Sequence, residues 1–181
     1  LLGLTKLTFL SLEGMKPSEE GSMEMIPTEI GRLTNLKYLE LEDGVFVGSI
    51  PTEIGLLTKL LTLQLRGNFL EGNIPTQIGQ LSMLTIFDVS LNQLSGSLPS
   101  EIGQLTNLQS LNVRENYRIN GSVPLEMSML SNITYLDLKN TFLVGDLIKF
   151  CGNVRNSALV TVCVNTYGEH YIKCPCIVGC T

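Results

Sequence analysis

At 181 residues with a net charge of −5, the chain has the size of one domain and the wrong sign for gripping a polyanion. Nucleic acid is therefore excluded as a partner, and no basic run resembles a phosphate-binding patch. No stretch reaches the ~18–20 apolar residues of a membrane span. The 44% hydrophobic and 16% charged content suits an elongated, layered core.

The chain opens mid-repeat at Leu1-Leu2-Gly3, without a leader and without a capping segment before Leu4. We read it as a fragment or mature portion whose N-terminal cap is missing. A first copy of a repeat runs from Leu4, Leu7, Leu10 and Leu12 to Ile26-Pro27 and Ile30-Gly31, carrying five extra residues. Three copies of equal length then follow without a gap: Leu33 to Leu56, Leu57 to Gln80 and Leu81 to Gln104. Each has apolar residues at positions 1, 4, 7 and 9, Gly at 16, Ile or Leu before Pro at 18–19, and Ile-Gly at 22–23. Leu105 to Met129 is a copy with one extra residue, and Leu130 to Leu147 begins a sixth that never reaches its Ile-Pro. One such unit cannot bury its apolar side alone, so neighbouring coils must stack into a continuous core.

Positions 5 to 10 alternate with the period of a half-buried strand. Leu39 and Leu41, Leu63 and Leu65, Phe87 and Val89, Leu111 and Val113, and Leu136 and Leu138 point inward. Position 12 is Asn in three coils (Asn68, Asn92, Asn116), a side chain that can both donate to and accept from backbone left unpaired at the bend. Gly44 and Thr141 break that column at its two ends. Pro51, Pro75, Pro99 and Pro124 open short helical segments, and the glycine at position 23 closes them.

The outward residues of the strands form columns. Position 6 gives Phe9, Tyr38, Thr62, Ile86, Ser110 and Tyr135; position 8 gives Ser11, Glu40, Gln64, Asp88, Asn112 and Asp137; position 10 gives Glu13, Glu42, Arg66, Ser90, Arg114 and Lys139. The last column changes sign along the stack, with Glu19, Glu20, Glu24 and Asp43 deepening the acidic end and Arg118 near the basic end. A bland reading is that charges merely solubilise a sheet face. The functional reading is a partner-binding face with Tyr38, Tyr135, Phe69 and Phe142 as anchors, because aromatic and Arg residues dominate interface energetics.

All five cysteines lie in the tail: Cys151, Cys163, Cys174, Cys176 and Cys180. Residues 157–164 and 171–174 predict two short strands, with 165–170 turning the chain between them as a β-hairpin. We expect repeats over 1–147 and a disulfide-stapled cap over 148–181, formed in an oxidising compartment. Five cysteines allow two bridges and one thiol left over, and the pairing stays open. A zinc site from Cys174, Cys176 and Cys180 with Cys163 or His170 lacks the paired spacing such sites use. Asn120-Gly-Ser122 and Asn132-Ile-Thr134 match the N-glycosylation acceptor and also point outside the cell. No catalytic constellation, metal set or cofactor motif stands out.

The run Leu-x2-Leu-x2-Leu-x-Leu-x2-Asn-x-Leu-x-Gly-x-Ile-Pro-x2-Ile-Gly, met at every position between Leu57 and Gln80, is similar to the plant-type leucine-rich repeat. The resemblance implies an α/β solenoid: a right-handed superhelix with a parallel concave sheet and short 3-10 or helical convex segments. It further implies an extracellular receptor ectodomain that recognises a protein, peptide or glycan on the concave face, beside a possible co-receptor. A stand-alone secreted inhibitor or wall adhesive is the alternative, and an ice- or mineral-binding surface a remote one. The cysteine tail and the Ile-Pro-Thr-Glu-Ile-Gly phrasing look like diatom-type secreted members.

Overall fold

The computed structural model describes residues 4–14, 23–146, 161–163 and 172–173. From the second coil onward the leucine positions are withdrawn from water: Leu33, Leu36, Leu39 and Leu41 first, then their counterparts through Leu138. Positions 14, 18 and 22 join them, as in Leu70, Ile74 and Ile78 of the third coil, giving one continuous core. Removing these side chains from water is the main force holding coil to coil. Among the described residues the first coil has a neighbour on one side only, and Leu4 and Leu12 remain 49% and 40% exposed.

Each coil contributes two short strands. The first coil holds β1 (Phe9–Ser11) and β2 (Glu24–Met25); the second, β3 (Tyr38–Glu40) and β4 (Phe46–Gly48); the third, β5 (Thr62–Gln64) and β6 (Phe69–Asn73). The fourth holds β7 (Ile86–Asp88) and β8 (Gln93–Gly96); the fifth, β9 (Ser110–Asn112) and β10 (Arg118–Ser122); the sixth, β11 (Tyr135–Asp137) and β12 (Phe142–Asp146). Two further strands, β13 (Thr161–Cys163) and β14 (Ile172–Lys173), lie in the tail. The odd-numbered strands form one seven-stranded sheet and the even-numbered strands another. Every described pairing in both is parallel.

The second sheet goes beyond the single concave sheet expected from the sequence. Its strands bury at most one residue each and so show no period of two, and several carry a glycine with positive φ, as at Gly48, Gly72 and Gly96. The two sheets also differ in register. In the first, equivalent positions pair, as in Leu63 with Phe87, each the seventh residue of its repeat. In the second, Gly72 (position 16) pairs with Leu94 (position 14), so consecutive coils are sheared rather than stacked as identical rings.

Three corrections concern local structure. The convex segments are 3-10 turns (Thr28–Arg32, Thr52–Leu56, Thr76–Gln80, Ser100–Gln104 and Leu125–Met129), each preceded by Pro as its N-cap. The glycine at position 23 does not end them; it sits inside, one residue from the end. Its role is close approach: a Cβ on Gly79 would stand 2.8 Å from both Cβ and the carbonyl oxygen of Glu101 in the next coil. Gly31 and Gly55 face Glu53 and Gln77 in the same way. The fifth coil has Ser128 there, and no further 3-10 turn follows it among the described residues.

The second correction is the tail. β13 and β14 appear where strands were expected, yet they pair with β11 and β12 respectively, in different sheets, and so do not form a hairpin with each other. Leu136 pairs with Val162, which lies one coil's length further along the chain. The tail therefore adds a seventh rung to each ladder. Cys151, Cys174, Cys176 and Cys180, and with them the disulfide cap, lie outside the described residues; Cys163 is placed by its backbone in β13. The third correction is that Phe69 and Phe142 do not stand on the first sheet, because they open β6 and β12 of the second.

The asparagine column behaves as its chemistry predicts. Asn92 Nδ2 donates to Leu65 O of the preceding coil (2.9 Å) and to Val89 O of its own (3.1 Å), while Oδ1 accepts Leu70 N–H (3.0 Å). Asn68 and Asn116 repeat the pattern on Phe46 N–H and Leu94 N–H. Thr141 continues it with a hydroxyl, donating to Leu138 O at 2.8 Å. Position 11, just before this column, turns left-handed in all six coils: Gly14, Asp43, Gly67, Leu91, Glu115 and Asn140 have φ between 48° and 69°. Outside glycine that conformation costs about 1–2 kcal/mol, and the ladder on either side enforces it.

Candidate functional site: the open face of the first sheet

The outward columns assemble as expected, because equivalent positions of β1 to β11 are in register. The acidic end carries Phe9 and Tyr38 with ring centroids 6.0 Å apart, an edge-tilted pair that leaves both rings exposed to solvent. Beside it, Gln64 Nε2 donates to Glu42 Oε1 at 3.1 Å. Burial raises the Glu42 pKa, an effect the Gln64 hydrogen bond opposes and the Asp88 charge reinforces. With Glu13 and Glu40 on the neighbouring positions, the formal charges at this end of the face are acidic.

The middle of the face is more self-satisfied than its sequence implies. Asp88 accepts from Ser90 N–H (2.9 Å) and the Ser90 hydroxyl (2.6 Å) with Oδ1, and from Asn112 Nδ2 (2.8 Å) with Oδ2. Asn112 and Asp137 likewise take the N–H two residues on, at Arg114 and Lys139. Asp137 is only 2% exposed, and the Tyr135 hydroxyl donates to its Oδ2 at 3.1 Å. Burial, then the Asp137 charge, keep Tyr135 protonated above its ordinary range. Asp88, Asn112 and Asp137 therefore shape the floor, while Tyr38, Glu40, Glu42, Arg66, Arg114 and Lys139 stand above it.

The sign change along position 10 is softened by local pairing. Arg66 lies 3.5 Å from Asp43, and Arg114 2.9 Å from Glu115. Both pairs are solvent-exposed and contribute little to stability, yet they reduce the free positive charge the face presents.

Several features escape a reading of the sequence. Asn35, Asn107 and Asn132 at position 3 donate to Thr5 O, Ser82 O and Thr106 O of the preceding coils, a second amide column on the flank. The recurring Asn at position 3 is the available signal. Asn132 thus combines a coil-to-coil bond with its place in a sequon, and Asn120 stands exposed on β10 with its amide donating to Arg118 O. Leu91, exposed and left-handed, gives no signal of either property. Among the described residues no group of three His, Cys, Asp or Glu could hold a metal, and no helix is long and apolar enough to cross a membrane.

Residues 4–139 match the family described as leucine-rich repeat region. No curated protein matches the sequence. Among solved structures, the plant peptide hormone receptor RGFR1 in complex with RGF2 is 39% identical, with a TM-score of 0.81 over 88% of this chain and 24% of that one. The BIR3–SERK2 complex from Arabidopsis thaliana is 33% identical, with a TM-score of 0.64 over 75% of this chain and 69% of that one. The ectodomain of the receptor kinase SOBIR1, also from Arabidopsis thaliana, is 31% identical, with a TM-score of 0.65 over 74% and 71%. The chain spans about a quarter of the RGFR1 receptor, and 18% of the ectodomain of GASSHO1/SCHENGEN3 that it also resembles. The chain belongs to the leucine-rich-repeat family, and its repeats are similar to those of plant receptor ectodomains.

Proposed function

We propose that the chain recognises a peptide or protein ligand on the open face of its first sheet, as part of a receptor ectodomain. The observation that carries this is the face itself: six coils in register align Tyr38, Glu40, Glu42, Arg66, Arg114 and Lys139 above a floor whose polar groups are internally satisfied. Such a rigid platform loses little conformational freedom on binding. Similar proteins support the reading: RGFR1 is a peptide hormone receptor seen with RGF2, and HAESA is seen with the peptide hormone IDA and the co-receptor SERK1. A co-receptor beside the ligand is part of the proposal.

The test uses random dodecapeptides displayed on phage, captured by the immobilised 181-residue chain. Tyr38→Ala with Arg114→Glu should lose capture at least about tenfold, the scale of one or two interface anchors, with an unchanged circular dichroism spectrum. Arg32→Glu with Leu56→Ala, a matched double change on the 3-10 turns, should leave capture intact. Equal loss from both pairs would sink the reading.

The finer assignments belong to the same proposal. The tail, 148–181, caps the repeats of 1–147 through two disulfides among Cys151, Cys163, Cys174, Cys176 and Cys180, in the manner of diatom-type secreted members. Asn120 and Asn132 carry glycans. Reductant should lower the melting temperature by several degrees, the scale of one lost disulfide, and chelator should not; the reverse pattern would establish a metal site instead.

A further inference from the structure

Five of the six residues at position 11 suit the left-handed backbone or bring a polar side chain to it: Gly14, Asp43, Gly67, Glu115 and Asn140. The sixth is Leu91, at φ +55°. Bulky side chains rarely adopt that conformation, and the residue lies outside the core, 38% exposed. Its backbone is held in place from outside: Leu91 N–H donates to Arg114 O at 2.9 Å, and the flanking Ser90 and Asn92 are buried. The repeat elsewhere uses Asp, Gly, Glu or Asn at this place, so an apolar residue held in a strained conformation outside the core points to a use beyond the fold. Strain of this kind marks sites of function.

Its surroundings define what it could meet. Leu91 sits at the rim where the first sheet bends towards the second, and the coils on either side place exposed Phe69 and Tyr117 two positions further along. Three consecutive coils thus line the rim with one exposed apolar group each. Towards the acidic end, Glu40 and Glu42 of the second coil have no cationic partner among the described ion pairs, while Arg66 and Arg114 are occupied by Asp43 and Glu115.

We propose that Leu91 is a specificity-determining contact of the ligand face, seating an apolar side chain of an extended peptide whose basic residue lies over Glu40 and Glu42. This deepens the proposed peptide-recognition reading and rests on it. The second and fourth coils are two strand spacings apart, about 10 Å, which an extended peptide crosses in about three residues. The ligand class is therefore a peptide with Lys or Arg and an aliphatic or aromatic residue about three positions apart.

The experiment compares phage-displayed dodecapeptides captured by the wild-type chain and by Leu91→Asn, which copies the residue the sixth coil uses at Asn140. The wild-type pool should show the basic–apolar spacing. Leu91→Asn should capture that pool at least about tenfold less well and lose the apolar preference, while its melting temperature stays level or rises. Undiminished capture by Leu91→Asn, with capture still lost in Tyr38→Ala/Arg114→Glu, would overturn the role of Leu91 and leave the ligand face standing. Capture undiminished in both variants, or no enrichment by the wild-type chain, would overturn both. A lowered melting temperature for Leu91→Asn would show that the leucine serves the fold, and would overturn the proposal.

Discussion

Asn92→Ala should destabilise the chain by about 3–4 kcal/mol, because a buried polar group left without its partner costs ~1–3 kcal/mol and several are affected at once. Leu70 N–H loses its acceptor outright. Leu65 O and Val89 O each serve two asparagines, Asn68 with Asn92 and Asn92 with Asn116, so each loses one of two donors. The damage is thus divided between the third and fourth coils, which one side chain stitches together. In a domain of this size the melting temperature should fall by roughly 10 °C, measurable by circular dichroism. Asn92→Asp should fare worse, since a carboxylate facing two carbonyl oxygens replaces the donor. A shift under about 2 °C for the alanine variant would show that the ladder is decorative.

Gly79→Ala, a change of one methyl group on the opposite side of the coil, should cost about 2–3 kcal/mol by overpacking. The new Cβ would stand 2.8 Å from Glu101 Cβ and O and 2.7 Å from Gln104 Oε1. The glutamine can swing away; the Glu101 backbone cannot move without prising the third and fourth coils apart. A conformational reading of Gly79 gives a different forecast, because the residue lies within a 3-10 turn at negative φ, where alanine is the better former. Stabilisation by Gly79→Ala would support that reading and refute close approach. Chemical denaturation separates the two by sign alone.

These forecasts show what is legible in the sequence. The leucines at positions 1, 4, 7 and 9 announce the core because burial imposes their spacing, and the Asn column announces its ladder because only a donor–acceptor side chain repeats at a bend. The glycine at position 23 is visible but its role is not, since sequence records that a side chain is absent and not what would have collided with it. The second sheet leaves no alternation to detect, because its strands bury at most one residue each, as Leu70 does in β6. The tail strands are announced by their β-branched residues, whereas their partners follow from the coil length between Leu136 and Val162. On the ligand face, composition yields the columns but not their pairing. Asp137 looks like a ligand-facing carboxylate until Tyr135 and Lys139 are seen to occupy it, and Leu91 looks ordinary until its backbone angle is known.

The most direct test of the central claim is a crystal structure of the chain with a captured peptide. The peptide should lie across β3 to β11 on the open face, over Tyr38, Glu42, Arg66 and Arg114. A peptide seated instead on the 3-10 turns or on the outer side of the second sheet would contradict it.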